Sequence, residues 1–449
     1  MAKIAIVGAG ISGLLAACYA AKAGHQVKVL SYGQGALTVA GGIIDLFGYD
    51  AQGNLVTDPL AHIATLNKPH PYALLGATRV AEALDAFKAL TAEQGYLYLG
   101  DGHCNQKVPT AIGSFKPSCL IPPSIESSAI FERPKLIVVG FPLLKDYYPK
   151  LIAKNLRHFF GDKKEVSVAT VNLNWPTGRE YRDVSALDLA RELETELGRL
   201  NFVTQLKGKY GPDCALVIPP ILGERPELSA AIQASLERDL NTKLVEVSTI
   251  PPSVTGLRLD RLLRQACQKL GVTIVEKAQV IGYTSALDAS GSYIRKDEGK
   301  AAAAKICKSL ITGGFGAQHE YSADAVIVAT GGAFSGGLVT QMGRMYEPIF
   351  GLEIPVPEDQ HDWSHQYLFC GQPQPFAAYG VAVNENLQPV DATGEVILSN
   401  VQFIGRSLQG YDFCFEKSGN GVAVTTAYHA VKQLDTVLSA TAALNAQLF

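Results

Sequence analysis

Three groups of residues in this chain have types and spacings suited to chemistry. The first is Gly8-Ala9-Gly10-Ile11-Ser12-Gly13, a GxGxxG turn whose backbone N–H groups can wrap a phosphate. In such a turn Gly8 permits the tight bend, Gly10 lets the backbone approach the phosphate, and Gly13 lets the following helix pack closely on the strand. The second group is a pair of arginines, Arg258 and Arg344. A guanidinium binds phosphate through two parallel hydrogen bonds, so both suit an anionic substrate; an ordinary ion pair is the competing role for each. The third is His361 and His365, whose four-residue spacing would put both on one helical face. A metal site needs more ligands than these two, so solvated loop histidines are expected there and no metal. The eight cysteines form no CxxC pair, which argues against an iron–sulfur cluster or a structural zinc. No residue stands out as a catalytic base.

The elements that must position these residues follow from periodicity. An apolar strand at 4–7, a helix from 11 to 23, Gly24 as its cap and a strand at 26–30 make a βαβ unit. An acidic residue usually ends the second strand of such a unit and holds an adenosine ribose. Here Ser31 stands in that place, and no acid occurs before Asp45. Gly41-Gly42 mark either backbone passing close to something bulky or a plain turn. Residues 79–94 read as an amphipathic helix. Apolar strands at 135–141, 166–173, 215–219 and 243–247 alternate with helices at 143–159, 185–200 and 227–240, which predicts a second parallel sheet.

The fold class expected is therefore α/β, a Rossmann-like domain with an inserted second α/β domain. Its first part is 1–104. The insertion, on the substrate or partner side, is 105–250 and closes at Pro251-Pro252-Ser253. The second part is 251–449, with an antiparallel excursion near 280–323 that carries a charged turn at 295–298. A buried strand at 325–330 ends in Gly331-Gly332. Gly405 and Arg406 follow an apolar segment at 401–404, and Ser418-Gly419-Asn420-Gly421 opens a helix to about 434 with bare N–H groups.

Composition narrows the classes. A chain of 449 residues with 47% hydrophobic content suits a globular protein of two or three domains. A net charge of −3 gives no reason to expect nucleic acid or a basic membrane-binding surface. No uninterrupted 18-residue apolar run occurs, so membrane attachment would have to come through a partner. The first 24 residues read as a strand and helix rather than a secretory signal, and reduced cysteines fit a cytoplasmic protein.

The order of GAGISG, Gly41-Gly42, the 326–332 strand end and the 418–421 helix start resembles flavoproteins of the two-dinucleotide-binding and fumarate-reductase-like superfamily. Finer stretches are HPYALLG at 70–76, PPSVTGLR at 251–258, FSGGL at 334–338 and EPIFGL at 347–352. With them the chain, from 3 to about 431, is similar to the B-subunit family of anaerobic glycerol-3-phosphate dehydrogenase. The resemblance implies a flavin-dependent oxidoreductase described as an FMN protein. It implies a larger catalytic flavoprotein subunit and an iron–sulfur subunit that anchors the assembly at the membrane, peripheral to its inner face. The reaction implied is oxidation of sn-glycerol 3-phosphate to dihydroxyacetone phosphate with reduction of quinone. It also implies cofactor contacts from Gly8, Gly10, Ser12, Gly13, Ser31, Gly41, Gly42, Gly331, Gly332, Gly405, Arg406, Gly419, Asn420 and Gly421.

A helix N-terminus, with Arg406 as a further candidate, suits the negative charge that reduced flavin develops near N1 and the C2 carbonyl. Ser31 suits FMN, which has no adenosine ribose to hold; FAD is the alternative. The late helix start departs from the family pattern, with Phe413 to Lys417 preceding Ser418 where glycine is usual. Whether the chain holds the substrate or relays electrons is left open. So are a self-sufficient FAD enzyme of the fumarate reductase or ketosteroid dehydrogenase type, and a non-catalytic subunit that keeps the fold.

Overall fold

Strand β1 (Lys3–Val7) buries Ile4 to Val7 without alternation, as a parallel strand covered on both faces must. A tight turn leads into helix α1 (Ile11–Lys22), buried from Ser12 to Ala20, and Gly24 returns the chain to strand β2 (Gln26–Leu30). Later come the short helix α2 (Pro71–Leu75) and helix α3 (Ala77–Glu93). In a computed structural model, residues 1–172, 183–248, 252–285, 294–295, 306–314, 317–368 and 370–448 are described. The charged residues expected at 296–298 and Pro251 lie outside them.

Next in the chain are β3 (Lys135–Gly140), α4 (Pro149–Phe160), β4 (Glu165–Thr170), α5 (Ala186–Leu193) and α6 (Glu196–Leu206). Strand β5 (Cys214–Ile218), α7 (Pro226–Leu240) and β6 (Lys243–Glu246) follow. The four strands form one parallel sheet in the order β4-β3-β5-β6. Pro149 sets the start of α4, because proline is at home in the first helical turn and nowhere deeper. The helix expected over 185–200 is two helices. Thr195 caps α6, its hydroxyl accepting the Gly198 N–H at 3.0 Å, and that cap is where the first helix stops.

After helix α8 (Val254–Lys269) come β7 (Thr273–Val275), β8 (Gln279–Ser285), β9 (Cys307–Gly314), β10 (Ala317–Ser322), β11 (Ala325–Val328) and β12 (Val401–Phe403). Strands β8, β9 and β10 pair antiparallel. The other three join the first two in a parallel sheet ordered β12-β11-β1-β2-β7. The one-turn helix α9 (Phe413–Glu416) and helix α10 (Gly419–Lys432) follow, and a last helix, Leu434–Leu448, packs on α10 and β11. Helix α1 packs along α10, with the Tyr19 and Tyr428 rings edge to face at 5.4 Å. On α1 the Cys18 sulfur lies 3.4 Å from that of Cys267. The hydrogen bond with Cys267 and burial push the Cys18 thiol far up, so it is a packing group and not a nucleophile.

The chain divides into two compact units. One comprises Met1–Ala36, Asp45–Phe87 and Leu263–Phe449; the other comprises Leu37–Ile44 and Lys88–Leu262. The division falls elsewhere than strand and helix patterning put it, and side chains explain why. In the second unit Tyr98 donates its hydroxyl to the Gly42 carbonyl at 2.6 Å, and Thr255 donates to the Gly41 carbonyl at 2.7 Å. Ile44 pairs with Leu120 as well. The segment carrying Gly41-Gly42 is thus tied into the inserted unit.

In the first unit the tightest packing is backbone on backbone. Gly8 has φ +109°, and a Cβ there would overlap the Ala329 carbonyl just beyond β11. A Cβ on Gly13 would overlap the Gly8 carbonyl and lie 3.3 Å from the Ala329 Cβ. Alanine is the better helix former by about 1 kcal/mol. Overpacking at a site that cannot give costs about 1–3 kcal/mol. Gly13→Ala is therefore expected to lower the urea midpoint of the ligand-free protein. An unchanged or raised midpoint would show that α1 can back away from the turn.

Candidate functional site

Helix α1 has Gly10 as its N-cap residue, with extended backbone, no side-chain cap and no acidic residue in its first turn. A Cβ on Gly10 would meet nothing within 4 Å, so space lies open at the helix start. First-turn N–H groups and the positive dipole end face that space, the arrangement that holds phosphate. Ser12 is buried, and its hydroxyl fills the position a side chain on Gly405 would take. The Gly405 N–H donates to Thr426 Oγ1 of α10 at 3.0 Å. The loop after β11 lies alongside, Gly332 packing on the Arg406 carbonyl. Thr330 Oγ1, next to Gly331, is buried without a hydrogen-bond partner among the described residues.

The start of α10 forms the other end. Its first turn has neither a side-chain cap nor an acidic residue. The Arg406 guanidinium carbon sits 4.3 Å from the Phe413 ring centroid, with Nη2 3.6 Å from where a Cβ on Gly419 would lie. Among the described residues Arg406 has no carboxylate partner at ion-pair distance. Gly421 donates its N–H to the Asp45 carbonyl at 2.9 Å and packs on Tyr72. Gly8, Gly10, Ser12, Gly13, Gly331, Gly332, Gly405, Arg406, Gly419, Asn420 and Gly421 all lie in the first unit. What they offer is donors and positive charge. No group of three or more metal-ligating side chains exists among the described residues.

Other residues are placed differently. Ser31 is buried at the end of β2, its hydroxyl donating to the Gly33 carbonyl at 2.7 Å. Gly41 and Gly42 belong to the second unit, as above. Arg258 is fully buried in that unit, paired with Glu246 at 2.7 and 2.9 Å. Its Nε donates to the Gly223 carbonyl at 2.7 Å. Burial opposes its charge, but Glu246 overcomes that and its pKa goes up. The expected phosphate ligand is a buried strut, because every strong donor direction is spent on protein. Arg344 stands on a strand at Arg344–Glu347, ion-paired with Glu353 and lying over the Tyr346 ring. It too is engaged by protein rather than presented to a substrate. A 3₁₀ turn at Gln360–Trp363 ends before His365, so the two histidines do not share a helical face. His361 is exposed and bonded to Asp359 at 2.8 Å, which raises its pKa.

The sequence reading assigned no role to His70, Tyr72, Tyr411 or Glu416, yet these gather beside α10. His70 caps α2, its Nδ1 accepting the Tyr72 N–H at 3.0 Å, and its Nε2 faces Glu416 Oε2 at 3.3 Å. Burial pushes the Tyr411 phenol up; its hydroxyl donates to the Gly405 carbonyl at 3.3 Å. The HPYALLG stretch was the available signal, but its partner lies 346 residues away.

A family model described as FAD binding domain matches residues 3–422, and the chain belongs to that family of flavoproteins. Its cofactor is a flavin. The particular proteins it is similar to include the B subunit of anaerobic glycerol-3-phosphate dehydrogenase from Vibrio cholerae, 29% identical over 444 residues and 96% of each chain. The protein of the same name from Pectobacterium atrosepticum is 28% identical, over 96% of this chain and 98% of its own. Among solved structures, 3-ketosteroid delta1-dehydrogenase from Sterolibacterium denitrificans gives a TM-score of 0.43 at 9% identity, covering 98% of this chain and 100% of that one. E. coli quinol fumarate reductase gives 0.40 at 10%, covering 100% and 73%. The preference for FMN finds no support in a family described by FAD, and Ser31, turned to Gly33, is no sign against adenosine. Among the described residues no helix is long and apolar enough to cross a membrane.

The buried pair yields a test. Removing one partner of a buried ion pair strands the other charge and costs about 3–5 kcal/mol, while replacing both with apolar groups is often close to neutral. Glu246→Ala should lower urea stability by about that amount, and Arg258→Met with Glu246→Leu should lose markedly less than either single change. A double variant whose loss equals the sum of the singles would show that the two do not act as a pair.

Proposed function

We propose that this chain is the smaller flavoprotein, the B subunit, of a glycerol-3-phosphate dehydrogenase, carrying FAD and passing electrons toward quinone. The observation that carries this reading is the meeting, in one unit, of the open start of α1, the uncapped and acid-free start of α10, Arg406 stacked on Phe413 and an orphaned threonine hydroxyl. Similarity to proteins of that name over 96% of both chains supports the choice of reaction. The diphosphate would be held at Gly10 to Gly13, and Arg406 with the start of α10 would hold the end of the flavin that gains negative charge. A bound flavin supplies reversible uptake of two electrons and their onward transfer one at a time. The remaining residues exclude water and place donors: Ser12, Gly405 and Thr426 fix α1 against α10.

The overall reaction is oxidation of sn-glycerol 3-phosphate to dihydroxyacetone phosphate. It is shared with a larger catalytic flavoprotein subunit and an iron–sulfur subunit that anchors the assembly peripherally at the inner face of the cell membrane. The state of the two arginines favours a relay role for this chain. With Arg258 buried against Glu246 and Arg344 paired with Glu353, neither expected cation is offered to a substrate phosphate.

Heat release of the cofactor from purified protein, followed by chromatography, should give FAD near one per chain. FMN at full occupancy would overturn the FAD assignment, and a colourless protein unable to take up flavin would overturn the flavoprotein reading. Under anaerobic conditions glycerol 3-phosphate should leave the flavin of the isolated chain oxidised and bleach it only when the larger subunit is added. Full bleaching of the isolated chain would move the substrate site here. Reduction of fumarate or turnover of a ketosteroid by the isolated chain would favour the self-sufficient enzyme instead.

A further inference from the structure

Helix α4 of the inserted unit has three faces, where a surface helix ordinarily has an apolar stripe and a polar one. Ile152, Ala153, Leu156 and Phe160 turn to the core of that unit. At 3.6 residues per turn, Arg157, Lys150, Lys154 and His158 make the next stripe, all exposed. Beyond them Leu151, Asn155 and Phe159 make a third, in line with Tyr148 at the N-cap position.

The third stripe is mostly apolar, yet it faces solvent. Tyr148, Leu151 and Phe159 are 61%, 43% and 51% exposed. Asn155 donates to the Ile112 carbonyl at 2.6 Å, which brings Ile112, 57% exposed, to the same stripe. The Phe159 ring is held there by Phe115, with centroids 4.8 Å apart. The lysines alongside have no carboxylate to serve. Helix α4 contains no acidic residue, and no carboxylate pairs with Lys150, Lys154 or His158 among the described residues. Arg157 is tied to protein through Nε, which donates to the Val166 carbonyl at 2.9 Å. Lys150 lies in the first turn, where a cation opposes the helix dipole, so it does not serve the helix either. Asp146 and Asp162 stand just outside α4, each next to a lysine. A net charge of −3 averages over the whole chain and hides this face.

We propose that α4 and Ile112 form a face that rests on an anionic lipid surface, with the lysines among the headgroups and Ile112, Tyr148, Leu151 and Phe159 at the acyl boundary. Aromatic and leucine side chains beside a row of cations are the composition of helices that lie in a membrane interface. Interfaces between proteins favour arginine and are poor in lysine, so a stripe centred on two lysines fits lipid better than an acidic protein. The helix lies in the plane and crosses nothing; the lysine stems bend to keep their ammonium groups at headgroup level. The inference is independent of flavin and substrate. It gives the chain a membrane contact of its own, beside any made through a partner subunit.

The test is co-sedimentation of the purified full chain with lipid vesicles. The chain should pellet with vesicles of phosphatidylglycerol mixed with phosphatidylcholine, stay in solution with phosphatidylcholine alone, and be released by added salt. Each lysine near an anionic surface strengthens binding by a factor of about five, so Lys150→Ala with Lys154→Ala should bind about 25-fold more weakly. Lys207→Ala with Lys209→Ala removes the same charge just beyond α6, a helix packed on α7, and should bind as the wild type does. Leu151→Ser with Phe159→Ser keeps the charge and should still weaken binding by about tenfold. Should that variant fail to fold, as judged by its circular-dichroism melt, Ile112→Ser with Tyr148→Ser removes apolar surface from the same stripe. A wild-type chain that ignores phosphatidylglycerol, or binds phosphatidylcholine equally well, overturns the proposal. So does an equal loss in the Lys207 and Lys209 variant, or no loss in the Lys150 and Lys154 variant. Retention on polyglutamate without vesicle binding would give the face to an acidic protein and overturns it as well. A chain that carries FAD yet stays off vesicles overturns this inference alone and leaves the proposed function standing.

Discussion

The contact on which the first unit depends is carbonyl against glycine, at the crest of its sheet. Gly8 meets Ala329 and Gly13 meets Gly8, each at a distance that excludes a methyl group. This sets how deeply α1 sits on the sheet and puts the ends of β1 and β11 side by side. It also explains the run of small residues along α1, where Ala16, Ala17 and Ala20 are fully buried. A single added methyl at the crest costs about 1–3 kcal/mol, a sizeable share of the roughly 5–15 kcal/mol that keeps a domain folded.

Around that crest the electrostatics are one-sided. Helix starts carry about half a positive charge each, worth up to about 2 kcal/mol to an anion in a partly buried setting. Here the first turns of α1 and α10 contain no acidic residue, and Arg406 rests on an aromatic face rather than on a carboxylate. The carboxylate nearest in sequence, Glu416, is occupied by His70 and Ser418. Such a set of groups suits negative charge in a ligand.

The βαβ start was legible because its signal is local. Glycine spacing, an apolar strand and a capped helix lie within thirty residues, and the parallel pairing of β1 with β2 follows from them. The second parallel sheet was legible in the same way, from four apolar runs separated by helices. What escaped depends on partners far apart in sequence. Tyr98 reaches Gly42 across 56 residues and Thr255 reaches Gly41 across 214, so the glycine pair joined the inserted unit. Arg258 was misjudged for a different reason. Its partner Glu246 is only twelve residues away, but a strand end and a helix start give no periodic sign that two charges will be buried face to face. Ser31 was over-read, since a missing carboxylate says less about a ligand than the hydroxyl's own bond to Gly33 does.

The strand order has a consequence for how the chain is made. Strands β1 and β2 leave the ribosome first, yet their sheet neighbours β7, β11 and β12 begin at residues 273, 325 and 401. At about 5–20 residues per second, the first two strands wait on the order of tens of seconds for the neighbour that covers β1. A parallel pair with both edges bare is an invitation to wrong partners. The inserted sheet, by contrast, has all its strands between 135 and 246, so it closes while the outer sheet is still incomplete. Nascent chains halted near residue 300 should therefore hold a finished inserted unit and strands β1, β2 and β7 with the β1 edge still bare, the state in which a chaperone has most to do.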